Sequence, residues 1–226
     1  NNINADLIIG LPKQTIADVE NSVNELVNLK LEHISVYSLI LEEGTMLEEL
    51  VRSGKLKLPE DKEERNMYWK VKNILEKNGY NHYEISNFAK HGSESKHNLD
   101  CWKQKEYVGF GVAAHSYTNG VRYSNIENIE EYIKNYEEGK EEDNFVFHEK
   151  QTHNMKVKEY MMLGLRKIEG VCIQEFKEKF AANPIFVFKT ELEKLVNEEL
   201  LEVNGDYIKL TNKGLDLANL VWEEFV

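Results

Sequence analysis

Asn4-Ala5-Asp6-Leu7-Ile8-Ile9-Gly10-Leu11-Pro12 is the stretch that decides the fold. Leu7-Ile8-Ile9 is apolar without alternation and is stopped by Gly10 and Pro12, which reads as a strand buried on both faces. Such strands belong to parallel sheets covered by helices. Thr15, followed three residues later by Asp18, resembles a helix-start capping pattern with Asp in the usual Glu or Gln place. Ile16, Val19, Val23, Leu26 and Val27 then hold one helical face to about residue 29. His33 to Ile40 reads as a second strand, so strand, helix and strand form a βαβ unit. Met67, Tyr68, Val71, Ile74 and Leu75 mark a helix over 61–78, Asn78-Gly79 ends it, and Tyr80 to Ile85 reads as a third strand. Residues 1–90 therefore read as part of an α/β barrel or open α/β sheet. A strand buried on both faces makes a poor first element and no Met opens the chain, so upstream residues are expected.

Further along, 126–143 is rich in Glu and Asn; an acidic docking surface is one reading, and a solvated helix and linker the plainer one. Beyond it the pattern changes. Met155 to Leu165, Ile173 to Phe180, and Ile185, Phe188, Leu192, Leu195 and Val196 mark three helices. Leu200 to Val203 and Tyr207 to Leu210 flank Asn204-Gly205-Asp206, a strong hairpin signal. Thr211 caps a last helix carrying Leu215, Ala218, Val221, Trp222 and Phe225. Three helices, a hairpin and a closing helix spell a winged-helix-like domain. The expected organisation is 1–125, the α/β part with a trailing segment; 126–149, the acidic linker; and 150–226, the C-terminal domain.

The 226 residues suffice for a real core. A net charge of −12 argues against general binding to nucleic acid or anionic membranes. No apolar run approaches the ~20 residues of a membrane span, and no charged-then-apolar leader opens the chain; the cytosol is the expected compartment. Two cysteines, Cys101 and Cys172, exclude a disulfide scaffold and cannot alone close a four-thiolate zinc or iron–sulfur site.

Gly109-Phe110-Gly111-Val112-Ala113-Ala114 matches a dinucleotide fingerprint, but the residues after it are strand-like and turn-like where the fingerprint needs a helix. A close backbone approach at these glycines is the alternative. Among the seven histidines, His97 stands out in Lys96-His97-Asn98-Leu99-Asp100-Cys101-Trp102. An imidazole followed by an indole suits a metal-centred macrocycle, the first as axial ligand and the second by stacking; the plainer reading is a loop histidine that caps a neighbour. His115 reads as buried and hydrogen-bonded. No metal-ligand cluster and no catalytic triad can be argued from spacing. Asp6, a carboxylate inside an apolar strand, needs a satisfying partner, either a hydroxyl-bearing ligand such as a ribose or the backbone amides at a strand start.

Asn4-x-Asp6-Leu7-Ile8-x-Gly10-Leu11-Pro12-x-Gln14-Thr15 resembles the fifth barrel strand and following turn of the oxygen-independent coproporphyrinogen III oxidase group of radical SAM proteins. Ser35-Val36-Tyr37 is similar to its sixth strand. Tyr83-Glu84-Ile85-Ser86-Asn87-Phe88-Ala89, His97-Asn98-x-x-x-Trp102, Gly109-x-Gly111-x-x-Ala114-His115-Ser116, and Leu163-Gly164-Leu165-Arg166 with Gly170-Val171 follow in the family's order. Within the group, the His-Asn segment points to the heme chaperone (HemW-like) branch, with Cys101 standing where that branch has Tyr.

The resemblance implies a partial (β/α) barrel of TIM type, here its C-terminal part, followed by the winged-helix-like domain. It implies S-adenosylmethionine (SAM) and a 4Fe–4S cluster in the full-length protein, with Asp6 on the SAM ribose and Ile40 as a backbone contact to the adenine. Heme is the implied cargo, bound near His97 and Trp102, with a heme-acceptor protein and an electron donor as partners. The cluster's C-x-x-x-C-x-x-C loop is absent from this sequence and is expected upstream, so no catalytic or metal residue is assigned and this chain alone is expected to make no radical. The rival within the family is the true oxidase, which decarboxylates coproporphyrinogen III. A winged-helix DNA-binding regulator is a remoter alternative: from residue 151 on there are ten basic against thirteen acidic residues, and Glu191, Glu193, Glu198 and Glu199 on the third helix would repel phosphate.

Overall fold

The computed structural model describes residues 2–226. They form two compact units, one running to Ser95 and taking in Lys167–Glu169, the other made of Lys96–Arg166 and Gly170–Val226.

In the first unit, β1 (Asn4–Ile9) and β2 (His33–Ser38) pair in parallel, in register from Asn4 opposite His33 to Ile9 opposite Ser38. The crossover between them is α1 (Ile16–Asn28). Its start is the anticipated capping box: Thr15 Oγ1 accepts the Asp18 N–H at 3.2 Å, and Asp18 Oδ2 accepts the Thr15 N–H at 2.9 Å. The Thr15 hydroxyl, donating to Asp18 Oδ2 at 2.7 Å, and then the Thr15 N–H hold the Asp18 carboxyl below its ordinary range. A short helix, α2 (Met46–Arg52), was not anticipated, although Met46, Leu47, Leu50 and Val51 have helical spacing; it buries no residue. Helix α3 (Asp61–Lys77) buries Met67, Tyr68, Val71 and Leu75, four of the five residues that mark it in the sequence.

Strand β3 (Asn81–Glu84) is where a third strand was expected, but it is not β2's neighbour. Strand β4 (Asn87–Ala89) runs antiparallel to both, and the sheet order is β1-β2-β4-β3. Only Ile85 and Ser86 separate β3 from β4, which permits a hairpin and forbids a parallel crossover. The four strands form an open sheet, not a closed barrel.

One face of the sheet is the core: Leu7, Ile9, Ile34, Val36 and Phe88 pack with Val19 and Val23 of α1 and Met67, Val71 and Leu75 of α3. Burying each of the larger side chains contributes roughly 1.5–3 kcal/mol. The expectation that β1 is buried on both faces is corrected. Leu7 and Ile9 are buried, whereas Asp6 is exposed and Ile8 is 44% exposed. The strand's period of two sends these side chains to the face that α1 and α3 do not cover.

The second unit begins with α4 (Lys96–Trp102), followed by an antiparallel sheet of β5 (His115–Thr118), β6 (Val121–Asn125) and β7 (Phe145–Lys150) in the order β5-β6-β7. The span 126–149 holds the expected helix, α5 (Ile129–Glu137), and also most of β7 as an edge strand paired to β6. Helix α6 (His153–Gly164) leads to β8 (Val171–Cys172), α7 (Ile173–Phe180), α8 (Pro184–Val187) and α9 (Lys189–Asn197). The hairpin β9 (Leu201–Asn204) and β10 (Tyr207–Leu210) turns at Gly205, φ +60°, and β8 joins the far side of β10. Thr211 caps α10 (Asn212–Asp216), and α11 (Ala218–Glu223) closes the chain. Phe176, Phe225, Leu195, Leu201, Ile208 and Val221, all nearly fully buried, form this domain's centre. The helix, hairpin and helix arrangement is the expected winged-helix-like one.

Candidate functional site

The face of the first sheet opposite the core is polar. Period two places Asn4 and Asp6 of β1 beside His33 and Ser35 of β2. The premise that Asp6 is buried does not hold: it is exposed, and it accepts one hydrogen bond, from Asn4 Nδ2 to Oδ1 at 2.7 Å. Its other oxygen stays free to accept from a ligand hydroxyl. Ile40 lies two residues past β2, where Leu39 N–H still bonds Ile9 O at 2.8 Å and the pairing then stops. Its side chain is 73% exposed, and its backbone N–H and C=O make no hydrogen bond. A carboxylate with a free oxygen and an unpaired peptide group fit the ribose and the adenine edge of a nucleoside respectively.

Asn4 and Tyr83 stood in the sequence as motif positions without a role and His33 as a strand start, yet they are bonded to Asp6 or to one another. Asn4 Oδ1 accepts from His33 Nδ1 at 2.6 Å, and His33 Nε2 meets the Tyr83 hydroxyl at 2.8 Å. Burial lowers the pKa of His33 and pushes that of Tyr83 up to about 12, so both are neutral groups here. The available signal was the polar residue at every second position of β1 and β2.

In the second unit, His97 is exposed on α4, and its Nε2 lies 3.7 Å from the Cys101 thiol one turn on. Burial, and then the Asp100 carboxylate, raise the pKa of that thiol, keeping it protonated as a donor to the imidazole. Trp102 is five residues from His97, about 140° round the helix at 3.6 residues per turn, so the two rings do not face one another. Instead the Arg166 guanidinium lies 4.9 Å from the Trp102 ring centre and 4.0 Å from that of Trp222. What His97 does meet is the edge of Tyr107, centroid to centroid 6.5 Å. The segment after Tyr107 exposes apolar surface, with Val108 53% and Phe110 90% accessible.

The glycines of 109–114 open no helix. A Cβ on Gly109 would sit 2.3 Å from His115 O, so the close approach is backbone to backbone. His115 is corrected: it is exposed, and it stacks on His148 with centroids 5.3 Å apart and rings 15° from parallel. The cause is a bulge in β7. Tyr123 pairs with Phe147 and Arg122 with Glu149, so His148 is the extra residue and swings to the His115 face. Its Nε2 bonds Ser124 Oγ at 2.8 Å. The pair lines a cavity of about 360 Å³ with Tyr107, Ser116, Arg122 and Glu149. Arg122 is already held by Glu149 at 3.0 Å and by Glu159. No group of three or more metal-ligating side chains occurs among the described residues. No helix among them is long and apolar enough to cross a membrane.

Comparison with known proteins adds three findings. Residues 151–217 match the HemN C-terminal domain family. The whole chain is 40% identical to the heme chaperone HemW of Lactococcus lactis and 39% identical to that of Bacillus subtilis, covering 58% and 59% of those proteins. The chain thus spans a little over half the length of the curated relatives it matches. Its fold is that of the radical SAM enzyme coproporphyrinogen III oxidase (HemN) of Escherichia coli, with a TM-score of 0.76 at 18% identity over 98% of this chain and 54% of that one.

Proposed function

The chain belongs to the oxygen-independent coproporphyrinogen III oxidase-like radical SAM family, and on that premise we propose that it serves a heme chaperone, binding heme and passing it to an acceptor protein. The observation that carries the reading is His97, an exposed imidazole beside the apolar Tyr107–Phe110 segment. An accessible imidazole supplies an axial ligand to heme iron, and exposed apolar surface suits the macrocycle. Trp102 takes part through its place on α4, held there by Arg166. Cys101, in place of the branch's Tyr, holds His97 Nε2 until iron displaces its thiol.

SAM is proposed to rest on Asp6 and Ile40, where it supplies one-electron radical chemistry when bound beside a reduced cluster. The chain's own part is to accept the ribose hydroxyls on the Asp6 carboxylate and to offer the Ile40 backbone to the base. A 4Fe–4S cluster does not fit these residues, because Cys101 and Cys172 are the two cysteines and lie on different elements. No step is derived through it, and its ligands are proposed to belong to a part of the protein beyond this chain. Residues 150–226 are proposed as a separate C-terminal module. The cytosol is the proposed compartment, and heme or porphyrin, a heme acceptor and an electron donor the proposed partners. Nucleic acid is not among them, in keeping with the net charge of −12.

The experiment is a heme-transfer assay run beside a porphyrinogen decarboxylation assay on the complete protein. Transfer without decarboxylation is the expected result. Decarboxylation at a useful rate overturns the reading in favour of the oxidase.

A further inference from the structure

We infer that His33 and Tyr83 are positioning residues for Asp6: they fix the amide of Asn4 in one orientation, so that Asp6 meets a donor on one oxygen and keeps the other for a vicinal diol. The inference rests on the reading of Asp6 as a ribose ligand and names what holds it in place.

Hydrogen bonds run in one direction through these side chains. At one end stands the backbone N–H of Ser95, which can only donate, 3.2 Å from the Tyr83 hydroxyl oxygen. At the other end stands the Asp6 carboxylate, which can only accept. The carboxylate end, with a neutral imidazole between, fixes the direction of every bond, and Ser95 takes up an acceptor position on the Tyr83 oxygen. The Tyr83 hydroxyl, accepting from Ser95, gives its own proton to His33 Nε2 at 2.8 Å. The neutral imidazole then carries its proton on Nδ1 and donates it to Asn4 Oδ1 at 2.6 Å. Ser35 Oγ donates into the same oxygen at 3.3 Å. With Oδ1 claimed by two donors, Nδ2 of Asn4 points at Asp6 Oδ1, 2.7 Å away. A flipped amide would set an oxygen against the carboxylate and an NH₂ against two donors, unfavourable at both ends.

Burial makes the arrangement stiff. His33 is 8% exposed and Ser35 3%; water does not readily replace their bonds. Burial also disfavours the charged forms of His33 and Tyr83, so neither end of the imidazole reverses its role near neutral pH. Tyr83 lies on the polar face by the strand's period of two, following core-facing His82, which pairs with Phe88; the bulge comes after it and sets Glu84 opposite Asn87. A residue fifty positions from His33 thereby decides which way a side chain on β1 points.

The test uses this chain with adenosine and 2′-deoxyadenosine as probes, since their difference reports the ribose diol and neither needs a cluster. Nitrogen NMR of the ligand-free chain should show His33 as the Nδ1–H tautomer, and Tyr83→Phe should shift it toward Nε2–H. Wild type should prefer adenosine, and Asp6→Ala should erase the preference. Tyr83→Phe and Asn4→Leu should cut it by roughly three- to tenfold, the size of one hydrogen bond, with 2′-deoxyadenosine affinity unchanged. A merely structural role would weaken both nucleosides together. A preference that survives Asp6→Ala overturns the ribose reading itself. A preference lost in Asp6→Ala but intact in Tyr83→Phe and Asn4→Leu overturns the positioning inference alone. A ligand-free His33 carrying its proton on Nε2 overturns it with no nucleoside needed.

Discussion

His82 should make the first unit fail in mild acid. Its ring lies in the core, 9% exposed, stacked on Phe88 at 4.4 Å and 12°, with the Tyr68 hydroxyl 3.2 Å from Nε2. Burial brings its pKa from 6.5 down to about 4. The folded state thus keeps the imidazole neutral while the unfolded chain protonates it from pH 6.5 down. Below that pH the unfolded state holds more protons, so stability is full at neutral pH and is lost as pH falls toward 4. At about 1.4 kcal/mol per pKa unit, the loss is about 2 kcal/mol by pH 5 and about 3 kcal/mol by pH 4. Few single domains have more than a small multiple of that to lose. The assay is urea unfolding between pH 7.5 and 4.5, with Trp69 as sole indole after Trp102→Phe and Trp222→Phe, because Trp69 belongs to this unit. His82→Gln cannot titrate and should flatten the curve, offset by a constant cost. His33, also lowered by burial, keeps the variant's curve from becoming level. Parallel curves for the parent and His82→Gln across this range would refute the reasoning.

Thr15→Ala removes the cap of α1 and should cost about 1 kcal/mol in a denaturant titration. Gly170→Ala should cost more than about 2 kcal/mol, because φ is +85° and the new Cβ would lie 2.2 Å from Ile208 O; calorimetry should show the loss in the second unit's transition. His97→Ala should lower heme affinity at least about tenfold in a Soret titration, the loss of a ligand bond, whereas Cys172→Ala should leave it unchanged. Anaerobic reconstitution of this chain with iron and sulfide should give no stoichiometric 4Fe–4S absorption.

What was legible in the sequence, and what was not, follows from how much of each feature is local. The capping box of α1 and the apolar face of α3 are written in residues three or four apart, and both stand where they were read. The hairpin at Gly205 is equally local. Direction of pairing is not: Tyr80 to Ile85 was legible as a strand, but its place at the sheet edge depends on the two-residue link to β4. Helix α2 is seven residues long and buries none of them, and the helical spacing of Met46, Leu47, Leu50 and Val51 went unread. The candidate site is least local of all. Asp6 could be named from its own motif and Asn4 stands two residues from it on β1, but His33 reaches Asn4, and Tyr83 reaches His33, only across strands far apart in the chain. One of the side chains that matter, His148, faces its site because it is the extra residue of a bulge. A bulge is a statement about the partner strand, so no window on one strand contains it. His115 was misread for the same reason: the segment before it suggested burial, and its exposure is decided by which face of β5 the sheet leaves uncovered. The residues that touch a ligand can thus be read from a motif, while those that aim them require the register of strands far apart in the chain.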